Sequence, residues 1–468
     1  MSRPIAESAS LLLVRRTSDP EVFWVRRAPH DRFLSGFHAF PGGRVDPRDG
    51  HDPEAAARHA ALRETAEETG WLPGGRLDPT LRAKIRDGGG ELPIDVEAVA
   101  RRMLPAGIWK APSYLVARFQ TRFYVLIVDD DADPRVDVGD PELDAGGWIR
   151  PAAALDAWRQ SKVLLAPPTR WLLEALADGA LERPARFAHT PPEDSPVSPA
   201  ITLFPLRTPT LPPATHTNCY IVGREALLVV EPAAGDPGEQ ARLDRFIDAR
   251  IAAGARVEAI ALTHHHHDHI GGVVHLARRL GVPVMAHRLT AERVDFPVDV
   301  LLDDGDVIEL DGGPTLDVVH TPGHAVGHLC FITRDSRDAI VGDMVAGVGS
   351  ILVEPDEGHM GQYIDGLRRL RGLGLRSLLP SHGPAIGGAD HKLDEYVAHR
   401  LDRERQVLDA LAIGPADLKG LVERVYTDVP PAVKAGPDGG LAGLSLRAHL
   451  DQLERQGRAR RDGRTWSA

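Results

Sequence analysis

A chain of 468 residues is longer than one hydrophobic core supports and predicts roughly three domains. Hydrophobic residues at 43% and charged residues at 26% are those of an ordinary globular protein, and only two cysteines, Cys219 and Cys330, exclude a disulfide framework or a cysteine-rich zinc module. A formal charge of −12 argues against a whole-surface nucleic-acid binder, while the short apolar run of "MSRPIAESASLLLVRR" and the lack of any membrane-length stretch predict a cytoplasmic protein with no membrane association.

Residues 1–185 alternate strand-like runs such as "FWVRR" and "RFYVLIV" with helical patterns such as "PEAAARHAALRETAEE". On that helix Glu64, Glu67 and Glu68 stand at i, i+3 and i+4, so three carboxylates share one face. Like charges this close repel unless neutralised, and magnesium or manganese does that. Arg63 can pair with one of the glutamates and orient it. The blander reading is an exposed acidic helix.

"RETAEETGW" (Arg63 to Trp71), preceded by "FPGG", resembles the Nudix box, G-x5-E-x7-R-E-U-x-E-E-x-G-U with U apolar. The resemblance implies an α/β/α sandwich in which Glu64, Glu67 and Glu68 bind Mg(2+) or Mn(2+), with Glu67 and Glu68 catalytic in attack by water on a diphosphate. Thr65 fills an apolar position of the box, Asp49 stands for its first Glu, and the gap from Asp49 to Arg63 is six residues longer than usual. The flanks "FLSGFHAFPGGRVDPRD", "ARFQTRFYV" and "LLAPPTRWLLEAL" are similar to a longer branch that includes coenzyme A diphosphatases. A nucleoside diphosphate-linked substrate such as coenzyme A follows from that similarity. Glu142 is a candidate additional base or ligand, against the blander reading of a solvated loop acid.

The proline-rich "AHTPPEDSPVSPA" reads as a linker over 186–199. Residues 200–390 open with the strand runs "NCYIVG" and "ALLVVEP" and reach the buried-strand pattern "VEAIAL". There "THHHHDHIGG" places five histidines and an aspartate in six positions, where the strand should stop. In an extended segment alternate residues point the same way, so His264 and His266 can reach one ion while His265 and His267 point away. Asp268 and His269 follow as the chain turns and can serve a second ion. Imidazole and carboxylate donors without thiolates suit zinc, with manganese or iron as alternatives.

Downstream, "HTPGHAVGH" places His324 after a Pro-Gly turn, "AIVGDMVAG" puts Asp343 at a strand end, and "LLPSHGPAI" does the same for His382. This series resembles the metallo-β-lactamase superfamily, whose H-x-H-x-D-H is followed by a single His, an Asp and a final His. The resemblance implies an αββα sandwich in which His264, His266 and His324 hold one metal, Asp268, His269 and His382 the second, and Asp343 bridges both. Two divalent ions sharing a water lower its pKa from about 16 towards 7, supplying hydroxide at neutral pH, and polarise the oxygen under attack. Asp268 and Asp343 are expected to hold that hydroxide in place, Asp268 as a catalytic residue. His320 and His328 are expected to be structural, and His265 and His267 solvated or hydrogen-bonded.

Residues 391–468 read as the helices "HRLDRERQVLDALA", "ADLKGLVERVY" and "SLRAHLDQLERQG", then a hairpin turning at Asp462-Gly463. They resemble the winged-helix extension of some β-lactamase-like hydrolases, including one that cleaves single-stranded RNA. Arg458, Arg460, Arg461 and Arg464 of the wing are candidate phosphate contacts, against the blander reading of a solvated face or a homodimer contact. Asn218 and Tyr220 in "TNCYIVG" also fit that group, while "VVEPAAGD" carries Glu231 where an Asp is usual. The expected whole is a multidomain α/β and α+β hydrolase with two active sites. Its second site acts on single-stranded RNA, or alternatively on small thioesters such as acyl-CoA in the manner of glyoxalase II. A ligand-sensing regulator with a degenerate first domain is the non-enzymatic alternative.

Overall fold

The strand Ala6–Arg15 (β1) shows why the first region is layered: Leu11 and Leu13 enter one core and Leu12 and Val14 another, as alternation across a strand buried on both faces requires. The computed structural model describes residues 5–16, 19–31, 33–112, 115, 118–137, 140–187, 195–347 and 349–468, in two units, Met1–Thr202 and Leu203–Ala468.

In the first unit β1 is followed by Glu21–Arg27 (β2), Phe37–Ala39 (β3), Gly42–Arg44 (β4), the helix Pro53–Thr69 (α1), Leu104–Lys110 (β5), Phe119–Val128 (β6), Leu143–Ile149 (β7), the helix Pro151–Arg159 (α2), Leu164–Leu165 (β8) and the helix Pro167–Ala177 (α3). The eight-stranded sheet runs β8-β3-β2-β1-β6-β5, with β4 paired to β1 and β7 to β2. β1 and β6 are parallel over their whole length, from Ala6 opposite Phe119 to Arg15 opposite Val128. Alanines of α1 pack on one face of this sheet, and Leu155, Trp158, Leu172 and Leu173 of α2 and α3 on the other. This is the expected α/β/α sandwich. Helix α1 starts at Pro53, capped by the Asp52 side chain accepting from the Ala55 N–H at 2.8 Å, about three turns ahead of Glu64. Those extra turns take up the lengthened gap before Arg63. Thr65 is accommodated in the core because its hydroxyl donates to Ala61 O at 2.7 Å.

Of the expected linker, residues 188–194 lie outside those described, and Ser195–Ser198 is a strand rather than irregular chain.

The second unit contains Ile201–Arg207 (β9), His216–Gly223 (β10), Ala226–Val230 (β11), the helix Pro237–Ala252 (α4), Arg256–Ala261 (β12), the short helix His267–Ile270 (α5), the helix Val273–Leu280 (α6), Val284–His287 (β13) and Val300–Leu302 (β14), its strands ordered β9-β10-β11-β12-β13-β14. A second sheet follows, Val307–Glu309 (β15), Thr315–His320 (β16), Leu329–Thr333 (β17), Asp338–Gly342 (β18) and, after the helix Met360–Arg371 (α7), Ser377–Pro380 (β19), ordered β15-β16-β17-β18-β19. Leu243, Ile247, Val273 and Leu276 of α4 and α6 cover the first sheet, and Met360, Tyr363 and Leu367 of α7 the second. The result is an αββα sandwich with β11, β12, β16, β18 and β19 all ending next to candidate ligands.

The helix Ala389–Ala412 (α8) crosses the boundary expected at 390/391. Its Leu393 and Tyr396 belong to the sandwich core, whereas Val407 and Leu411 belong to a core with Leu421, Leu446, Leu450 and Trp466. That last core is built from α8, Ala416–Asp417 (β20), Leu418–Val425 (α9), Gly440–Arg455 (α10), Arg460–Asp462 (β21) and Thr465–Ser467 (β22), with the strands ordered β20-β22-β21. The wing turns at Gly463, whose φ of 58° is left-handed. Among the described residues no helix is long and apolar enough to cross a membrane.

Candidate functional site

Three imidazoles converge beyond the ends of β12 and β16. His264 Nε2 lies 3.0 Å from His266 Nδ1, and His324 Nε2 lies 3.3 and 3.0 Å from those two atoms. Behind each ring a protein oxygen fixes which nitrogen carries the proton. His324 Nδ1 donates to Leu352 O at 2.8 Å, and His266 Nε2 donates to Glu357 Oε2 at 3.2 Å. His264 Nδ1 donates to Thr263 Oγ1 at 2.9 Å, because the Thr263 hydroxyl spends its own proton on Glu231 Oε1. All three inward nitrogens therefore present lone pairs to one another, an arrangement that repels unless a cation sits among them. Nitrogens about 2.0–2.1 Å from a tetrahedral zinc are themselves about 3.3 Å apart, so the spacing fits such an ion. Burial and neighbouring imidazoles hold His264 well below the usual histidine range and His324 at about 3, which keeps both rings neutral.

A second group adjoins the first. His382 Nε2 is 3.6 Å from Asp268 Oδ2 and 3.5 Å from Asp343 Oδ1, and His269 Nε2 is 3.5 Å from Asp268 Oδ1 and 3.7 Å from Asp343 Oδ2. Asp343 Oδ2 is also 3.5 Å from His324 Nε2, so this carboxylate stands between the two sets. His269 Nε2 and Asp343 Oδ1 are buried and, among the described residues, lack a hydrogen-bond partner, as donors awaiting a cation would. His382 Nδ1 donates to His216 O at 3.0 Å, which turns its Nε2 towards the carboxylates, with Thr210 Oγ1 3.5 Å from it. Despite its burial, His269 is raised to about 10 by the carboxylates of Glu231, Asp343 and Asp268. Burial notwithstanding, the His382 and His269 rings hold Asp343 well below the usual carboxylate range.

Glu231, fully buried at the end of β11, serves both sets. Its Oε1 accepts from Thr263 and lies 3.1 Å from His269 Nδ1, and its Oε2 accepts from Ser381 Oγ at 2.6 Å. The longer side chain in place of Asp is thus fully engaged. Asn218 Nδ2 donates to Pro380 O and Gly383 O, both at 2.8 Å, and the Tyr220 hydroxyl donates to Pro380 O at 2.7 Å, so both clamp the strand end that carries His382. His328 is committed elsewhere: its Nδ1 donates to Thr321 Oγ1 at 2.9 Å and its Nε2 accepts from the Asp343 N–H at 3.1 Å. His320 reaches Val326 O at 2.9 Å and stacks on His287. His265 is buried against Glu357 at 3.1 Å, and His267 is exposed. Sequence reasoning did not find Thr263, Glu357 or Leu352 O; only Thr263 carried a signal, by immediately preceding His264.

On α1 of the first unit the carboxylates are arranged differently. Asp49 is paired with Arg63 through two contacts of 2.9 Å and with His59 Nδ1 at 2.7 Å. Arg63 Nη1 then lies between Glu64 Oε1 at 2.9 Å and Glu67 Oε1 at 3.2 Å. Glu68 turns the other way and accepts from the Gly42 N–H at 3.0 Å. Among the described residues, the groups whose ligand atoms all lie within 4.8 Å of one another do not include these three glutamates. Burial raises Glu64 to about 7 and Glu68 well above the carboxylate range, with repulsion from Glu67 adding to the first and repulsion from Glu64 to the second. Carboxylates this reluctant to ionise are those a divalent cation would stabilise. Glu142 is exposed, and its charge pushes both Glu64 and Glu68 further up. A cavity of about 710 Å³ beside α1 is lined by Arg48, His59, Arg63 and the glycine-rich turn at Gly88, Gly89 and Gly90.

The wing arginines are mostly engaged within the unit. Arg458 donates to Glu404 at 2.6 Å, Arg461 donates to Gly463 O at 3.1 Å, and Arg464 pairs with Asp438 at 3.3 Å.

Residues 212–382 match the metallo-beta-lactamase superfamily, residues 5–167 the NUDIX domain, and residues 418–466 the beta-lactamase associated winged helix domain. Among curated proteins, Lactamase-like protein nscB of Trichophyton rubrum is 33% identical over 196 residues, 42% of this chain and 58% of that protein. Atrochrysone carboxyl ACP thioesterase of Aspergillus fumigatus is 32% identical over 231 residues, 46% of this chain and 70% of that protein. The chain thus spans only 58% of the length of the nscB protein. A beta-lactamase domain protein from Burkholderia ambifaria has a similar fold, at a TM-score of 0.51 and 21% identity, over 60% of this chain and 97% of that one. Both enzyme domains imply the use of divalent metal. The convergent imidazoles and aspartates at the strand ends, the glutamate helix and these matches together make the chain a member of the metallo-beta-lactamase superfamily, with a lactamase-fold domain that follows a NUDIX domain and precedes a winged helix.

Proposed function

We propose that the lactamase-fold site hydrolyses a small thioester such as acyl-CoA with two divalent ions, and that the NUDIX site cleaves a coenzyme A-type diphosphate. The observation that carries the reading is the pair of donor sets meeting on Asp343, with three lone pairs already turned inward. His264, His266 and His324 would hold one ion, Asp268, His269 and His382 the other, and zinc suits donors of this kind. When bound, the ions lower the pKa of a shared water and polarise the carbonyl. Asp268, the more exposed of the two aspartates, orients the attacking water from the open side, while Asp343 offsets charge between the two sets. Glu231 Oε1, 3.1 Å from His269 Nδ1, and His216 O, 3.0 Å from His382 Nδ1, keep those two rings from rotating away. For the substrate class, support comes from the Aspergillus fumigatus relative, an ACP thioesterase by name, and from the internal pairing of Arg458, Arg461 and Arg464. On α1, Glu64, Glu67 and Glu68 would hold Mg(2+) or Mn(2+), which requires Glu68 to turn from the Gly42 N–H towards the other two. The two reactions act on one molecule in turn: the thioesterase frees coenzyme A, which the second site then cleaves.

Single-stranded RNA is the second reading, favoured by the winged-helix match and the exposed Arg460 of the wing. One panel separates the two. Purified protein is assayed on acyl-CoA, coenzyme A and single-stranded RNA, each with His266→Ala and Glu67→Gln. Thioester cleavage should vanish only in His266→Ala and diphosphate cleavage only in Glu67→Gln. RNA cleavage lost in His266→Ala, without any thioesterase activity, would put RNA in place of the thioester. A small-molecule activity that survives both variants would sink the site assignments.

A further inference from the structure

Two of the three inward-facing imidazoles are oriented by a single irregular loop, residues 349–359, between β18 and α7. It supplies Leu352 O to His324 Nδ1 and Glu357 Oε2 to His266 Nε2, the latter across 91 residues of sequence. The same Glu357 oxygen lies 3.1 Å from His265 Nε2, so one carboxylate restrains two neighbouring rings of the histidine run. A loop without a ladder of its own has to be held by its surroundings. Here the holding groups come from the helical extension. On α8, Arg400 donates to Ile351 O, and the Tyr396 hydroxyl lies 3.0 Å from Gly349 O. On α10 of the winged helix, Arg447 pairs with Asp356, the residue beside Glu357. The loop's far end is fastened to the site itself, where the His359 N–H donates to Gly323 O at 2.8 Å, next to His324.

We propose that Glu357 is a positioning residue for His266, and that the winged helix, through Arg447, holds Glu357 in place and so sets the metal affinity of the sandwich it follows. Accepting the Nε2 proton keeps Nδ1 as the lone-pair atom and makes it a better donor, the role that outer carboxylates play for ligating imidazoles. Without Glu357, His266 is free to take the other tautomer and to rotate, because it is the most exposed of the three rings. The competing role is that Glu357 binds an ion directly with His265 and His266, whose ligand atoms lie within 4.8 Å of its own. In that arrangement His266 would offer Nε2 and be withdrawn from the trio.

The inference rests on the metal reading above, and one experiment tests each separately. Full-length protein is stripped of metal and titrated with zinc against a chromophoric chelator, for wild type, Glu357→Ala, Glu357→Gln and Arg447→Ala. Thermal unfolding of the metal-free forms is recorded alongside. Glu357→Ala should take up as much zinc at saturation as wild type, but with affinity about 10–100-fold weaker at one site, the range for lost outer partners. Glu357→Gln should stay nearer wild type, because its amide oxygen still accepts from His266, and Arg447→Ala should show a smaller loss in the same direction. Metal-free unfolding temperatures should be unchanged, since Glu357 is 43% exposed. Wild-type affinity in Glu357→Ala would overturn the positioning role, and one ion fewer at saturation would make Glu357 a ligand instead. A wild-type protein that takes up no zinc would bring down the metal reading itself.

Discussion

At the strand ends of the second unit, each inward nitrogen of His264, His266 and His324 has its ring pinned from behind by a protein oxygen. On α1 of the first unit, Glu64 and Glu67 are instead drawn onto Arg63, and Glu68 onto the Gly42 N–H. The first site is formed before any cation arrives, and its donors are neutral lone pairs. The second is held by charge, and a cation there has to compete with a guanidinium for the carboxylates. Preformed imidazole sets suit a tightly held transition metal, whereas carboxylates on a single helix suit a hard ion exchanged with substrate. The difference also locates where each site is fragile, in distant outer contacts for one and in a local charge cluster for the other.

Arg63→Met should have the largest effect on stability. It removes both contacts to Asp49, whose side chain is fully buried, and breaking such a pair costs about 3–5 kcal/mol. Urea unfolding of the full chain would show this as an earlier transition of the first unit, with zinc uptake untouched. A loss below about 1 kcal/mol would mean that charge does not organise α1. Gly323→Ala comes next, because its Cβ would lie 2.2 Å from the Tyr363 backbone nitrogen at a φ of 134°. Backbone cannot step aside, so overpacking of the order of 1–3 kcal/mol should accompany displacement of His324 and loss of zinc binding. Gly43→Ala also makes a contact below 3 Å, at 2.5 Å, but with the carboxylate tip of Glu64, which can swing away. Its stability cost should stay within about 0.5 kcal/mol while diphosphate cleavage falls. Equal stability losses in the two glycine variants would erase the distinction between a preformed site and a flexible one.

The same contrast explains what could be read in the sequence. "RETAEET" lies on one helix, so spacing alone put its carboxylates on one face, and "THHHHDH" paired His264 with His266 by strand alternation. His324, Asp343 and His382 were picked out because their order resembles the family's ligand series, each after an apolar run or a turn, and the structure brings all of them to one cleft. Glu357 was not legible, since it sits in a loop without periodicity and meets His266 only through tertiary folding. Leu352 contributes a backbone carbonyl, which no side-chain pattern can announce. The spread of the three glutamates was hidden for a related reason: helical spacing gives the face, but Arg63 and Gly42 decide where each carboxylate points. The boundary at 390/391 failed physically because α8 is continuous and its two halves join different cores.

A histidine of the second unit that has no oxygen behind it gives the cleanest test, one that shows only in acid. His449 on α10 is buried, and among the described residues neither of its ring nitrogens has a hydrogen-bond partner. Burial, aided by the Arg400 and Arg403 charges, pushes it down from the ordinary 6.5 to about 3. The unfolded chain therefore binds a proton below pH 6.5 that the folded chain refuses until about pH 3. More protons on the unfolded state mean that stability falls as pH falls through this window. At pH 5.5 the linked loss is about 1.4 kcal/mol, the value of one pH unit. His449→Leu should remove that part of the acid slope in denaturant unfolding of the full chain and leave stability near pH 8 almost unchanged. The site histidines should behave differently, because bound zinc competes with protons for their inward lone pairs and makes their acid sensitivity depend on metal concentration. If the His449→Leu slope still matches wild type, or if added zinc restores the slope component that His449→Leu removes, the pinned and unpinned histidines of this unit are not distinct.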